Sequence, residues 1–205
     1  VKALKDDIGM QYFQSVLSLY FKVLQASGNS MQKEDELMKE YMAAVMEYRK
    51  KDLLYPDANF TLRLTYGEVL SYNGTDGKNM GYLTNASEIL DKESTTNEEF
   101  EVFPRLKELI QKKDYGRYAE QGQDLKVNFL TTHDITGGNS GSPVMNKEGA
   151  LIGIAFDGNW ESMVGDLSYQ ANTQRTISVD IRYVLFIIDK YAGATNIIEE
   201  LTLVD

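Results

Sequence analysis

The sequence lacks cysteine altogether and has a single histidine, His133, among its 205 residues. The absence of cysteine excludes disulfides and thiolate metal sites, but it leaves the compartment open because many periplasmic proteins also lack cysteine. No apolar run approaches the length of a membrane span. A net charge of -10 argues against nucleic acid as a partner, since a duplex would repel the chain. No spacing typical of metal ligands is present, and we expect no cofactor.

Hydrophobic periodicity divides the chain into two predicted domains, residues 1–55 and 56–205. In the first, apolar residues recur at helical spacing up to Gly28, and a second helix is predicted from Ser30 to roughly Lys51. These two helices predict a helical hairpin. Because an isolated pair of helices buries little surface, the hairpin needs a partner surface.

The second domain shows the period of two that is typical of strands. Alternation over residues 60–69, continuing to Tyr72, predicts a long strand bent at Gly67. Further strands are predicted at 80–83, 126–131, 142–145, 151–156 and 175–180, and helices at 104–113, 183–191 and 195–201. Short antiparallel strands followed by a C-terminal helix predict a mainly β fold with α elements, in the form of a six-stranded barrel of the chymotrypsin-like kind.

The residues around Ser140 predict a serine nucleophile. An attacking hydroxyl must project from a tight turn, and here it is flanked by small residues in the string Gly138-Asn139-Ser140-Gly141-Ser142-Pro143. Gly138 allows its own N–H and that of Ser140 to point at one spot, where the tetrahedral oxyanion would form. An ordinary turn between strands is the alternative interpretation. The apolar residues after the motif and the returning strand 151–156 favour the peptidase.

A serine nucleophile also needs a general base, and the sequence does not supply one in the usual place. His133 is the only imidazole and lies seven residues before Ser140, whereas a chymotrypsin-like base comes from far upstream. We therefore expect His133 to be a surface or supporting side chain. The chain is expected to lack the catalytic His and Asp and to be inactive alone. A Ser–Lys dyad is the other possibility, but no lysine has a spacing that recommends it.

Several strings resemble the bacterial serine dipeptidyl-peptidases of types seven and eleven. The first comprises Thr131-Thr132 and residues 134–143, and the others are residues 55–63, 113–118, 156–161, 165–166 and 175–186. The resemblance covers about residues 55–205 well and the first helices only loosely. It implies a C-terminal fragment similar to the type-seven branch. Residues 1–55 would end an inserted helical domain, and residues 56–205 would form the C-terminal barrel of a double barrel.

The resemblance implies an enzyme that removes dipeptides from the free N-termini of peptides. Asp157 stands where the family holds an acid that binds the substrate α-ammonium, next to Phe156, which we also place in the substrate site. Gly158 stands where the acid-selective branch has an arginine, so an apolar residue is expected before the cut. Asp134 lies six residues before Ser140, which is the spacing of the acid in a trypsin-like pocket and would predict a basic residue before the cut. The ordinary alternative is that Asp134 forms an Asx turn or a buried ion pair.

The remaining expectations concern partners, location and supporting residues. We expect an oligopeptide substrate, the missing N-terminal barrel of the same protein as a partner, and a homodimer at full length. The resemblance implies a periplasmic or cell-surface protein of a Gram-negative bacterium. Trp160 is expected to pack in the barrel or to line the pocket. An ion-pair network is possible among Asp166, Arg175, Asp180 and Arg182. The competing hypothesis is a non-enzymatic, peptidase-like module that binds peptides without cleaving them.

Overall fold

The computed structural model describes residues 6–51, 54–55, 61–165 and 169–204. The chain divides into two compact units, Val1–Pro56 and Asp57–Asp205. None of the helices in the described ranges combines the length and the apolar character that crossing a bilayer requires.

In its described part, the first unit forms one helix, α1 (Ile8–Tyr48), which continues without interruption for 41 residues. Asp7 caps its start, because the carboxylate oxygen Oδ1 accepts the backbone N–H of Met10 at 2.8 Å. The predicted helical hairpin with a break at Gly28 is therefore wrong. A glycine inside a helix costs only about 1 kcal/mol relative to alanine, and no proline precedes residue 56 to remove a backbone donor.

The second unit is built around an antiparallel sheet with the strand order β3-β4-β7-β6-β5. These strands are β3 (Leu83–Asn85), β4 (Lys126–Thr131), β5 (Pro143–Met145), β6 (Leu151–Gly158) and β7 (Thr176–Asp180), and a separate ribbon pairs β1 (Tyr72–Asn73) with β2 (Asn79–Met80). The strands predicted from residue 126 onward are confirmed, with their ends displaced by two residues at most. The turn 146–149 between β5 and β6 is also confirmed: the N–H of Gly149 donates to the carbonyl of Asn146 at 3.0 Å.

The sheet is open among the described residues, because β3 and β5 form two unpaired edges. The coarse prediction of an antiparallel β structure with helices is confirmed, but no closed barrel is found in the described ranges. The predicted six-stranded barrel is therefore not confirmed.

The long strand predicted over residues 60–69 is wrong for its described part. Residues 61–68 form no ladder, and only Val69 makes an isolated bridge, to Thr131. The pairing with the β4 side is confined to the end of the segment, where the N–H of Leu70 donates to the carbonyl of Leu130 at 3.3 Å and the carbonyl of Glu68 accepts the N–H of Thr132 at 2.9 Å. Just before it, Gly67 lies so close to the backbone that an added Cβ would be 2.5 Å from the nitrogen of His133.

Four short helices contribute to the same unit. They are α2 (Ser87–Asp91), α3 (Pro104–Gln111), α4 (Ile181–Phe186) and α5 (Thr195–Glu199), and a π-helical turn (Ile187–Tyr191) continues α4. The buried core cluster comprises Ala86, Ile110, Tyr115, Tyr118, Leu125, Leu185 and Phe186. The helix predicted at 183–191 thus begins two residues earlier, where the Asp180 side chain accepts the N–H of Arg182.

Asp124 joins the helices to this core. Its oxygen Oδ2 accepts the N–H and the hydroxyl of Ser87 at 3.2 and 2.5 Å, and Oδ1 accepts the hydroxyl of Tyr115 and the N–H of Leu125 at 2.8 and 3.0 Å. Burial raises the pKa of Asp124, but these hydrogen bonds outweigh that effect and lower the pKa below its ordinary value. The ionised carboxylate is therefore the form that stabilises the fold.

Replacing Asp124 by asparagine should destabilise the protein at neutral pH, because an amide can accept at only one of the two oxygens. We expect a loss of about 1–3 kcal/mol in the free energy of unfolding. The loss should be full above the pKa of an unfolded aspartate, about 3.9, and should shrink as the pH falls through the lower folded value. Denaturation of the full-length protein at pH 7 and pH 3 measures this, with the exposed Asp91→Asn as control. An equal loss at both pH values would contradict the prediction.

Candidate functional site

Ser140 lies at the tip of a double turn between β4 and β5. The N–H of Asn139 donates to the carbonyl of Thr136 at 3.1 Å, and the N–H of Ser142 donates to the carbonyl of Asn139 at 2.9 Å. Gly138 has a φ of +100°, in the region that residues with a side chain rarely adopt. The small residues of the motif therefore form the tight turn predicted for them, with Ser140 exposed at its tip.

The backbone N–H groups of this turn alternate between bonded and unbonded. Those of Asn139 and Ser142 are bonded within the turn, and that of Gly141 donates to the carbonyl of Ala155 at 2.8 Å. Those of Gly138 and Ser140 have no acceptor among the residues that the structure describes. Two free donors, two residues apart and flanking an exposed hydroxyl, are the arrangement that an oxyanion hole requires.

The Ser140 hydroxyl donates to the carbonyl of Phe156 on β6 at 3.2 Å. A β-bulge gives this carbonyl its position: Ala155 pairs with Ser178 and Asp157 with Ile177, which leaves Phe156 as the extra residue between them. A bulge bends its strand and re-aims the groups of the unpaired residue. The edge of β6 is thus brought next to the serine.

Asp157 and Gly158 follow Phe156 on the same strand. The Asp157 carboxylate is exposed, and its oxygen Oδ1 accepts the N–H of Gly158 at 2.8 Å. Gly158 pairs with Thr176 as the last residue of β6 and does not have the positive φ that a turn would need. A Cβ at position 158 would lie 2.9 Å from the Cβ of Ser162, so the glycine there allows a close approach. The structure therefore brings all three predicted substrate residues to the strand beside Ser140.

His133 makes no hydrogen bond to Ser140 within the described ranges. Its side chain is buried, with 9% of the residue exposed, so the expected surface position is wrong. Burial lowers the pKa of His133, and the charge of Asp134 only partly opposes this effect. The Ser140 hydroxyl bonds to a carbonyl instead of an imidazole, and the sequence has no other histidine. No imidazole of this chain therefore activates Ser140.

Arg175 makes a set of buried backbone contacts near the candidate site that the sequence did not predict. It is 6% exposed, and its guanidinium donates five hydrogen bonds of 2.7 to 3.3 Å to the carbonyls of Leu70, Ser71, Ala171, Asn172 and Gln174. Within the described ranges no carboxylate pairs with it. The expected ion-pair network is thus reduced to Arg182 and Asp180, which are joined at 2.7 Å, and Asp166 lies outside the described residues.

Asn159, for which the sequence predicted no role, and Trp160 follow Gly158. Asn159 is buried, and its oxygen Oδ1 accepts the backbone N–H of Arg175 at 2.8 Å and the hydroxyl of Ser162 at 2.6 Å. Trp160 is 84% exposed, so the expected packing in a barrel core is wrong. No sequence signal distinguished Asn159, because its partners come from a segment about fifteen residues away.

A groove opens beside the Gly138 end of the turn. Its volume is about 460 Å³, and its lining consists of Thr61, Leu62, Arg63, Gly137, Gly138, Asn139 and Ser142. Arg63 crosses to the turn, where its nitrogen Nη2 donates to Oδ1 of Asn139 at 2.9 Å. The residues of β6 do not line this groove, so it lies apart from Phe156, Asp157 and Gly158.

Comparison with known proteins agrees with the resemblance seen in the sequence. Residues 1–203 match the Peptidase S46 family model. The chain is 50% identical over 205 residues to dipeptidyl-peptidase 7 of Phocaeicola vulgatus, covering 100% of this chain and 28% of that protein. It is 41% identical over 208 residues to the Asp/Glu-specific dipeptidyl-peptidase of Porphyromonas gingivalis, again covering 100% of this chain and 28% of that protein.

A solved structure extends the agreement to three dimensions. The crystal structure of Porphyromonas endodontalis DPP11 in complex with the dipeptide Arg-Glu matches with a TM-score of 0.85 and 42% sequence identity, covering 93% of this chain and 27% of that chain. The present chain thus spans little more than a quarter of the length of these relatives. On the combined evidence of sequence and fold, the chain belongs to peptidase family S46.

Proposed function

We propose that this chain is the nucleophile-bearing part of a serine dipeptidyl-peptidase. The observation that carries the proposal is the pair of free N–H groups, of Gly138 and Ser140, on either side of an exposed serine hydroxyl. Both residues are exposed, and neither N–H has an acceptor within the described ranges, so both donors are available to an oxyanion. Membership in peptidase family S46 and the relatives named dipeptidyl-peptidase support the reaction type.

The reaction would proceed by acyl transfer. A base removes the proton of the Ser140 hydroxyl as its oxygen attacks the scissile carbonyl, and the carbonyl oxygen becomes an oxyanion held by the N–H groups of Gly138 and Ser140. Collapse of the intermediate expels the amine, which takes up the proton, and leaves the dipeptide as an ester on Ser140. Water then hydrolyses the ester by the same route.

The base and its orienting carboxylate would come from the remainder of the full-length protein. His133 is buried away from Ser140, and the relatives are more than three times as long as this chain. In a chymotrypsin-like double barrel the two halves of the machinery lie on different barrels. We propose that the open sheet and the segment 61–70 belong to the C-terminal barrel of such a pair.

The strand β6 would recognise the free N-terminus of the substrate. The serine hydroxyl contacts the Phe156 carbonyl, and the next residue, Asp157, presents an exposed carboxylate. An extended dipeptide spans about 6–7 Å, so its α-ammonium can reach a carboxylate one residue along the strand from the acylation point. A charge-assisted contact with the α-ammonium would place the scissile bond two residues from the N-terminus of the substrate.

The residue before the cut would fit beside Gly158. The described groups around this glycine include the Ser162 side chain and the Arg175 carbonyl, neither of which is a cation. Burying a substrate carboxylate there without a partner would cost several kcal/mol. An apolar residue is therefore favoured.

Replacing Ser140 by alanine in the full-length enzyme should abolish both turnover and covalent labelling by a fluorophosphonate. Losing the nucleophile of such a site typically lowers turnover by about 10⁴- to 10⁶-fold. Ser142→Ala is the matched control, because Ser142 lies in the same turn, and this variant should still be labelled. Undiminished turnover or labelling in Ser140→Ala would refute the assignment.

Replacing Asp157 by asparagine should remove most of the preference for a free N-terminus. The charge-assisted contact contributes about 1.5–3 kcal/mol, which corresponds to roughly 10- to 150-fold in kcat/KM. The measurement compares a dipeptidyl substrate with its N-acetylated form in the wild type and the variant. Because both substrates report on the same enzyme, general damage cancels in the ratio. A variant that kept the full ratio would place the ammonium site elsewhere.

Replacing Gly158 by arginine should shift preference toward Asp and Glu before the cut, since a guanidinium can bind a carboxylate in bidentate fashion. Gly158→Ala is the necessary control, because any Cβ at this position would lie 2.9 Å from the Cβ of Ser162 and would have to displace it. The alanine variant should lower kcat/KM for Leu and Asp substrates alike. Only the arginine variant should change their ratio. A wild-type preference for Asp over Leu would overturn the proposed pocket.

A further inference from the structure

We propose that Arg63 is a positioning residue that holds the nucleophile turn in its oxyanion-binding form. The inference rests on the proposed peptidase function and concerns how its oxyanion hole is maintained. The carrying observation is the hydrogen bond of 2.9 Å between the Arg63 guanidinium and the carboxamide oxygen of Asn139, the residue between the two free donors.

The Asn139 side chain closes the turn from within. Its oxygen Oδ1 accepts the backbone N–H of Thr136 at 3.1 Å as well as the Arg63 bond, and the N–H of Asn139 donates back to the Thr136 carbonyl at 3.1 Å. Residues 136 and 139 are thus bonded in both directions. Since two donors converge on one carboxamide oxygen, the orientation of the amide is also determined.

The turn needs such a restraint because glycine occupies positions 137 and 138. The peptide between two glycines can rotate at little steric cost, since neither residue prefers one sign of φ. Rotation of that peptide would redirect the Gly138 N–H, one of the two donors of the proposed oxyanion hole. A fixed Asn139 opposes the rotation, because it anchors the chain immediately after Gly138.

The segment that carries Arg63 is itself tied to the strand leading into the turn. The N–H and the carbonyl of Glu68 bond to Thr132, at 2.9 Å each, and Gly67 packs against the backbone of Thr132 and His133. Arg63 therefore reaches Asn139 from an anchored segment 76 residues earlier in the chain. A charge-assisted bond from a fixed base restrains its acceptor more than a bond from a mobile side chain would.

The test uses the full-length enzyme with Arg63→Met, Arg63→Lys and, as a matched control on α3, Arg105→Met. We expect Arg63→Met to lower kcat by about 10- to 100-fold with little change in KM, short of the 10²- to 10³-fold loss caused by removing a hole donor outright. Arg63→Lys should restore part of the rate, because an ammonium can still donate to Asn139. The control should behave as the wild type.

A transition-state readout separates positioning from general damage. The Ki of a dipeptidyl boronate, whose tetrahedral adduct with Ser140 puts an oxygen in the hole, should rise by the same factor as kcat/KM falls. The Kd of a dipeptidyl substrate, measured in a Ser140→Ala background, should not move. In addition, Arg63→Met should cause little further loss of kcat once Asn139→Ala is present, because Asn139→Ala already removes the acceptor of the Arg63 bond.

The proposal is overturned if Arg63→Met keeps the full kcat, if its Kd for substrate weakens in step with the loss of activity, or if the losses from Arg63→Met and Asn139→Ala simply add. If Arg63→Met does not fold, the boronate Ki is measured for Asn139→Ala and Arg63→Lys instead. An unchanged Ki in both variants would refute the proposal. If the proposed peptidase function were wrong, the wild-type protein would already give a different result. In that case the wild type would neither release dipeptides nor react at Ser140.

Discussion

The buried guanidinium of Arg175 is the interaction on which the region around the nucleophile depends. Its donors satisfy carbonyls from two segments far apart in sequence, residues 70–71 and 171–174, and Asn159 fixes its backbone. A cation with planar, preorganised donors suits this task better than lysine would, because several carbonyls must be bonded in different directions at once. Removing it would leave those carbonyls short of donors, at a cost of about 1–3 kcal/mol for each one that water cannot reach.

The backbone of Arg175 also restrains the end of β6. The carbonyl of Arg175 accepts the N–H of Asn159 at 2.9 Å, immediately after Gly158. This contact fixes the end of β6, and the bulge at Phe156 presents a carbonyl to the serine. The turn that carries Ser140 is bonded to the same strand through Gly141 and Ala155. One connected set of backbone contacts thus positions the Ser140 hydroxyl, the two N–H donors beside it and the exposed carboxylate of Asp157.

Sequence reasoning succeeded where residue type alone imposes the structure. The motif around Ser140 was predictable because Gly138 adopts a backbone conformation that other residues avoid, and strands β4 to β7 were predictable from alternation. It failed where distant contacts decide. Residues 61–68 have a strand-like pattern, yet they form no ladder, and Gly67 lies close against the backbone of Thr132 and His133. The bonds of Arg175 could not be predicted, because its described partners are backbone carbonyls, which have no signature in the sequence.

The contact between Ser140 and the Phe156 carbonyl has a simple energetic meaning. A hydrogen bond between neutral groups contributes only about 0.5–1.5 kcal/mol net, so it orients the hydroxyl without trapping it. An imidazole brought by another part of the protein could take over the proton at small cost, since the hydroxyl exchanges one acceptor for another. The free N–H groups of Gly138 and Ser140 do not take part in this exchange. In the proposed peptidase, these two donors would come from this chain, and the base with its orienting carboxylate would come from the remainder of the full-length protein.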